Sequence, residues 1–130
     1  LSDLSNSCNN LALLLHDTDS FREAEELHRE ALKIRRNLAE KNPDAYLPDL
    51  ATSCNNLATL LYNTGSFKEA EELYQEALKI RRNLAEENPE VYLPELQLVC
   101  DNLTALLEKT GRREEADNLR REVAEFFKLQ

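Results

Sequence analysis

Glycine and proline are scarce in this chain of 130 residues, at two and four. Folds rich in tight turns and irregular loops therefore have little to build on. Methionine and tryptophan are absent. The chain begins at Leu1, and we expect it to be a piece of a longer protein. No basic-then-apolar signal segment opens it. No apolar run approaches the roughly 18 to 20 residues that span a bilayer. Three cysteines are too few, too far apart and odd in number for a disulfide framework. Cys-x-x-Cys and His-Glu-x-x-His spacings are missing, so no metal site is expected. Neither a glycine-rich phosphate loop nor a nucleophile motif occurs, and the carboxylates fall in charge-alternating runs typical of solvated helix faces. The expectation is a non-enzyme without cofactors.

Basic residues are outnumbered: the net charge is −9. An acidic domain repels phosphate backbones and anionic lipid, so neither nucleic acid nor membrane is expected as a partner.

What the chain has is repetition. Cys8, Cys54 and Cys100 are 46 residues apart, twice over. Asp3 to Pro48 aligns without a gap on Asp49 to Pro94, with 34 of 46 positions identical. Such a period marks a solenoid of stacked units. We divide the chain, as a single domain, into repeats 3–48, 49–94 and 95–130.

Each repeat reads as two helices, with an all-α prediction over 3–17, 20–41, 48–63, 66–87, 94–109 and 112–129. Pro48 and Pro94 suit a first helical turn, where their missing N–H has no partner to lose. Gly65 and Gly111 supply left-handed stops, with Asp19 in their place in repeat one. Ser20 with Glu23, and Ser66 with Glu69, fit a capping box. Phe67, Ala70, Leu73, Tyr74, Ala77, Ile80 and Leu84 lie along one face of a second helix. Asn42-Pro43 and Asn88-Pro89 end the second helices, and the extra length of the repeat is assigned partly to a linker, Ala39 to Tyr46.

The pattern Cys54, Leu57-Ala58, Leu61, Gly65, Phe67, Ala70, Tyr74, Ala77 resembles the tetratricopeptide repeat. Repeat one matches through Cys8, Leu11-Ala12, Leu15, Phe21, Ala24, His28 and Ala31. Asn-Asn-Leu-Ala, and Ala-Leu-Lys-Ile-Arg at Ala31–Arg35 and Ala77–Arg81, are similar to the long repeats of kinesin light chains. Cysteine stands throughout at the usual Trp-like position. The resemblance implies a right-handed α-α superhelix whose first helices line an inner groove, and a protein or peptide partner.

On that reading Cys8, Leu11, Ala12 and Leu15 face the core. The groove takes Asn6, Asn9, Leu13 and His16, then Thr52, Asn55, Thr59 and Tyr62, then Leu98, Asp101, Ala105 and Glu108. Asparagine amides suit a peptide backbone, since each donates and accepts. Asn10, Asn56 and Asn102 are read as ties between helices, and Asn9 and Asn55 as groove-exposed. Repeats one and two carry no Lys or Arg on the groove, and repeat three offers only Lys109, so a carboxylate clamp is not expected. Arg35 and Arg81 are expected to pair with Glu or with the chain at Asp49 and Glu95. His28 is expected to be packed and hydrogen-bonded, and the cysteines reduced and buried, as in a cytoplasmic protein.

Repeat three replaces Phe67 by Arg113 and Tyr74 by Arg120, as a polar end repeat would. Of Phe126 and Phe127, one is expected to pack inward and the other to be exposed. Repeat one shows no such change, so further repeats are expected upstream. Apolar surface near Leu4 and self-association through that end are expected to follow. Two functions stay open: a scaffold holding an extended peptide or partner helix in the groove, or a structural spacer or oligomerisation element with no ligand of its own.

Overall fold

The computed structural model describes residues 2–17 and 20–129, with side chains described for 2–12 and 20–129. Six helices follow one another: α1 (Ser2–Asp17), α2 (Phe21–Lys41), α3 (Pro43–Asn63), α4 (Phe67–Glu87), α5 (Pro89–Lys109) and α6 (Arg113–Leu129). No strand occurs among the described residues. Each helix packs on its neighbours in sequence, giving an α-α solenoid.

The first helices of repeats two and three begin five residues earlier than the sequence reading placed them. Pro43 and Pro89, not Pro48 and Pro94, occupy the first turn. The expected linker is helical apart from Asn42. Asn42 and Asn88 each end one helix and start the next, at φ −146°, ψ 80° and φ −143°, ψ 79°. A residue before proline is pushed out of the α region, so one residue suffices to break the helix. Pro48 and Pro94 then sit inside α3 and α5. Each removes one helical hydrogen bond, and does so near the helix start.

The glycine stops behave as read. Gly65 (φ +86°) and Gly111 (φ +80°) are left-handed. Around Gly65 the Ser66 N–H donates to the Leu61 carbonyl at 2.8 Å, and the Gly65 N–H to that of Tyr62 at 3.2 Å. Arg112 to Leu107 and Gly111 to Glu108 repeat the pattern at 2.7 and 3.1 Å. This double bond satisfies carbonyls that a helix end leaves open. Asp19 lies outside the described residues. The capping boxes do not form: Ser20 and Ser66 hold the N-cap positions without a side-chain cap bond. In repeat two the Ser66 N–H, which the Glu69 side chain would cap, already donates to the Leu61 carbonyl.

The core runs through α3, α4 and α5 around Cys54, Leu57, Leu61, Tyr74, Leu96 and Cys100. All three cysteines are free and buried. Burial pushes the Cys54 thiol up to about 12, with the Glu76 carboxylate adding to it. Burial likewise pushes Cys100 up to about 11, with Asp101 adding to it. His28 is fully buried, its Nδ1 3.3 Å from the Asn9 side-chain oxygen. Phe126 and Phe127 are both half-buried and both pack against the core, so neither is the exposed one expected. Arg113 and Arg120 are exposed.

Leu11, expected in the core, is 47% exposed, and Leu4 is 52% exposed. Their counterparts Leu50, Leu57, Leu96 and Leu103 are buried. Helices α3 and α5 pack between two second helices, whereas among the described residues α1 packs extensively only against α2. Leu15 lies outside the described side chains.

Candidate binding groove

The repeats approach more closely on one side than on the other. Helices α3 and α5 are in direct contact, and Asn102 Nδ2 donates to Asn55 Oδ1 at 3.0 Å between them. Second helices are joined instead by long side chains: Arg29–Glu69 at 2.8 Å, Arg36–Glu76 at 2.6 Å and Arg82–Glu122 at 3.3 Å. Those pairs are largely exposed and contribute little each. The closer approach puts α3 and α5 on the inner side where repeats two and three meet.

The inner face of α3 is a stripe of half-exposed residues: Asp49, Thr52, Asn56, Thr59 and Tyr62. Thr52 donates to the Pro48 carbonyl at 3.2 Å. Thr59 donates to the Asn55 carbonyl at 2.9 Å, and its hydroxyl lies 2.8 Å from that of Tyr74. Tyr62 meets Phe67 edge to face, ring centres 5.7 Å apart. On α1, Asn6 is exposed and accepts from Arg35 Nη2 at 2.5 Å. On α5, Asp101 is exposed and accepts from Gln97 at 2.8 Å, while exposed Glu108 pairs with Arg120 at 2.7 Å. The side chains of Leu13 and His16 lie outside the description.

Two groove expectations are corrected. Asn9 and Asn55, read as groove-exposed, are only 5% and 7% exposed. Asn10 is exposed and Asn56 half-exposed, although both were read as ties between helices. Asn102 does act as a tie. One residue turns an α-helix by about 100°. A one-residue error in the facing position therefore exchanges groove for interior.

Arg35 and Arg81 are buried where consecutive repeats meet. Arg35 donates to the Asp49 carbonyl at 3.2 Å and to Ser53 Oγ at 2.8 Å. Arg81 donates to the Glu95 carbonyl at 3.2 Å, with the Glu95 carboxylate 3.7 Å away. Pairing with the chain at Asp49 and Glu95 was the expectation. Burial lowers both guanidinium pKa values, and Asp49 and Glu95 oppose the shift. Above Arg81 lies a recess of about 130 Å³ bordered by Asp49, Thr52, Val91 and Glu95.

A larger depression of about 660 Å³ lies at the edge of the stack, lined in part by Leu47, Leu50, Ile80, Leu84 and Tyr92. Sequence reasoning missed it because Pro43 to Tyr46 was given to a linker. Asn42-Pro43-Asp44, a cap followed by proline and an acid, was the available signal of a helix start.

No cluster of three His, Cys, Asp or Glu that would hold a metal occurs among the described residues. No helix is long and apolar enough to cross a membrane among them.

No curated protein matches the chain significantly. Among solved structures, the crystal structure of BtubC (BKLC) from P. vanneervenii is similar, with a TM-score of 0.79 over 96% of this chain at 23% identity. The chain spans about half of that one, 47%. The likeness speaks for the fold, a stack of paired helices. The family model described as Tetratricopeptide repeat matches residues 4–44 and 50–90. Those matches fall on two consecutive repeats and cover more than half of the sequence, so the chain belongs to the tetratricopeptide repeat family.

Proposed function

We propose that the chain is a protein–protein interaction scaffold whose inner face, on α1, α3 and α5, holds an extended peptide or a partner helix. Tetratricopeptide repeats generally mediate protein–protein interaction. The observation that carries the reading is the open stripe Thr52, Asn56, Thr59 and Tyr62 on α3. It combines amide and hydroxyl groups that pair with a peptide backbone and an aromatic ring with a polar tip. The reading involves no catalytic step and no cofactor. Three free buried thiols fit a reducing, cytoplasmic setting.

The test is a peptide-array and pulldown screen of the chain against an Asn56→Ala, Tyr62→Ala double variant of equal helix content. Binders lost by the variant support the groove. Binders indifferent to it move the site off α3.

A spacer role is the second reading. It is favoured by the burial of Asn9 and Asn55, two of the amides expected in the groove, in contacts between helices. A screen that yields no specific binder supports it.

A further inference from the structure

On the groove side of α5, Val91, Leu98 and Ala105 recur at seven-residue spacing, and all three are exposed, Val91 by 53% and Leu98 by 48%. Seven residues are close to two helical turns, so they form one stripe of about 21 Å along the helix. The counterparts on α3 are Ala45, Thr52 and Thr59, and both threonine hydroxyls bond within α3. The apolar stripe is thus a property of α5.

Carboxylates border it. Glu90, Glu95, Asp101 and Glu108 lie on α5, and the one Lys or Arg on α1, α3 or α5 is Lys109, at the far end. Glu95 faces Arg81 and Glu108 pairs with Arg120. Among the described residues, neither Glu90 nor Asp101 pairs with a cation. An exposed apolar line with unneutralised acids beside it is complementary to one kind of surface.

We infer that this face of α5 docks a basic amphipathic helix of a partner protein. The partner's apolar residues, spaced by seven, lie along Val91, Leu98 and Ala105, and its Lys or Arg residues lie over Glu90 and Asp101. This rests on the groove reading and names its occupant. A helix laid along α5 repeats its contacts every two turns, as the stripe does. An acidic helix would bring its charges against the bordering carboxylates.

The test uses two helical peptides of about 21 residues with the same leucine pattern, one flanked by Lys and one by Glu, titrated against the whole chain by fluorescence anisotropy. The Lys peptide is expected to bind at least about tenfold more tightly and to weaken as salt is raised. Leu98→Ser and Asp101→Lys are each expected to weaken it by roughly tenfold with helix content unchanged. Equal affinity for the two peptides, or indifference to Leu98→Ser, overturns the inference. So does a dimer in sedimentation that Leu98→Ser dissociates, since the occupant is then a second copy. A screened peptide that depends on Asn56 and Tyr62 but not on Leu98 overturns it and leaves the groove standing. The absence of any binder overturns the groove reading itself.

Discussion

Asn102 donates its side-chain amide to the Asn55 side-chain oxygen at 3.0 Å, joining the first helices of two repeats. Asn55 is buried. A pair of this kind acts on stability, because Asn55→Ala removes the hydrogen bond at a buried site, while the partly buried Asn102 amide can turn to water. Asn55→Ala is expected to cost about 0.5–1.5 kcal/mol in urea denaturation. Asn56→Ala, one residue along and half-exposed, is expected to cost within about 0.5 kcal/mol. Equal losses at the two positions would place the groove stripe wrongly.

The glycine stop is a second point of leverage. Nothing lies within 4 Å of a Cβ built at Gly65, so Gly65→Ala meets strain and no clash. Its φ of +86° is costly for any residue with a side chain. The expected loss is about 1–2 kcal/mol, part of which Gly65→Asn recovers. Thermal denaturation of the two variants decides it, and an Ala variant as stable as the parent contradicts the account.

The thiols make stability depend on pH in the alkaline range. Burial raises Cys54 from 9.0 to about 12 and Cys100 from 9.0 to about 11. Above pH 9 the unfolded chain has lost protons that the folded chain keeps, so folding stability is complete below that pH and falls as pH rises toward the folded values. Each thiol contributes a slope of at most about 1.4 kcal/mol per pH unit. Cys54→Ala is expected to flatten the decline measured by denaturation between about pH 9 and pH 11. A variant with an unchanged slope would remove Cys54 as its source.

Leu4 and Leu11 expose apolar surface on α1. Sedimentation velocity is expected to show concentration-dependent association of the chain. The Leu4→Glu, Leu11→Glu double variant is expected to stay monomeric with its helix content retained. Association that survives both substitutions lies on another face.

Much of the fold is legible in the residues. The 46-residue identity between repeats announces stacked units, and the apolar spacing from Phe67 to Leu84 makes a helix of α4. Gly65 and Gly111 mark the stops. The placement of Arg35 and Arg81 near Asp49 and Glu95, and of His28 inside, was also readable from register.

Where α3 begins was not. Pro43 and Pro48 both suit a first turn, and only the structure shows that the helix runs through the second of them. Nor did periodicity decide which asparagine opens to the groove. Composition and spacing determine that a helix has an inner face, to within about one residue of rotation. The last step of rotation belongs to packing: α3 lies between α2 and α4 and touches α5, and these contacts turn Asn55 in and Asn56 out. The sequence by itself determined the repeated helix pair, because local propensity, turn residues and apolar spacing all act within one unit. Tertiary structure alone decided the groove surface, because that surface is whatever the neighbouring repeats leave uncovered.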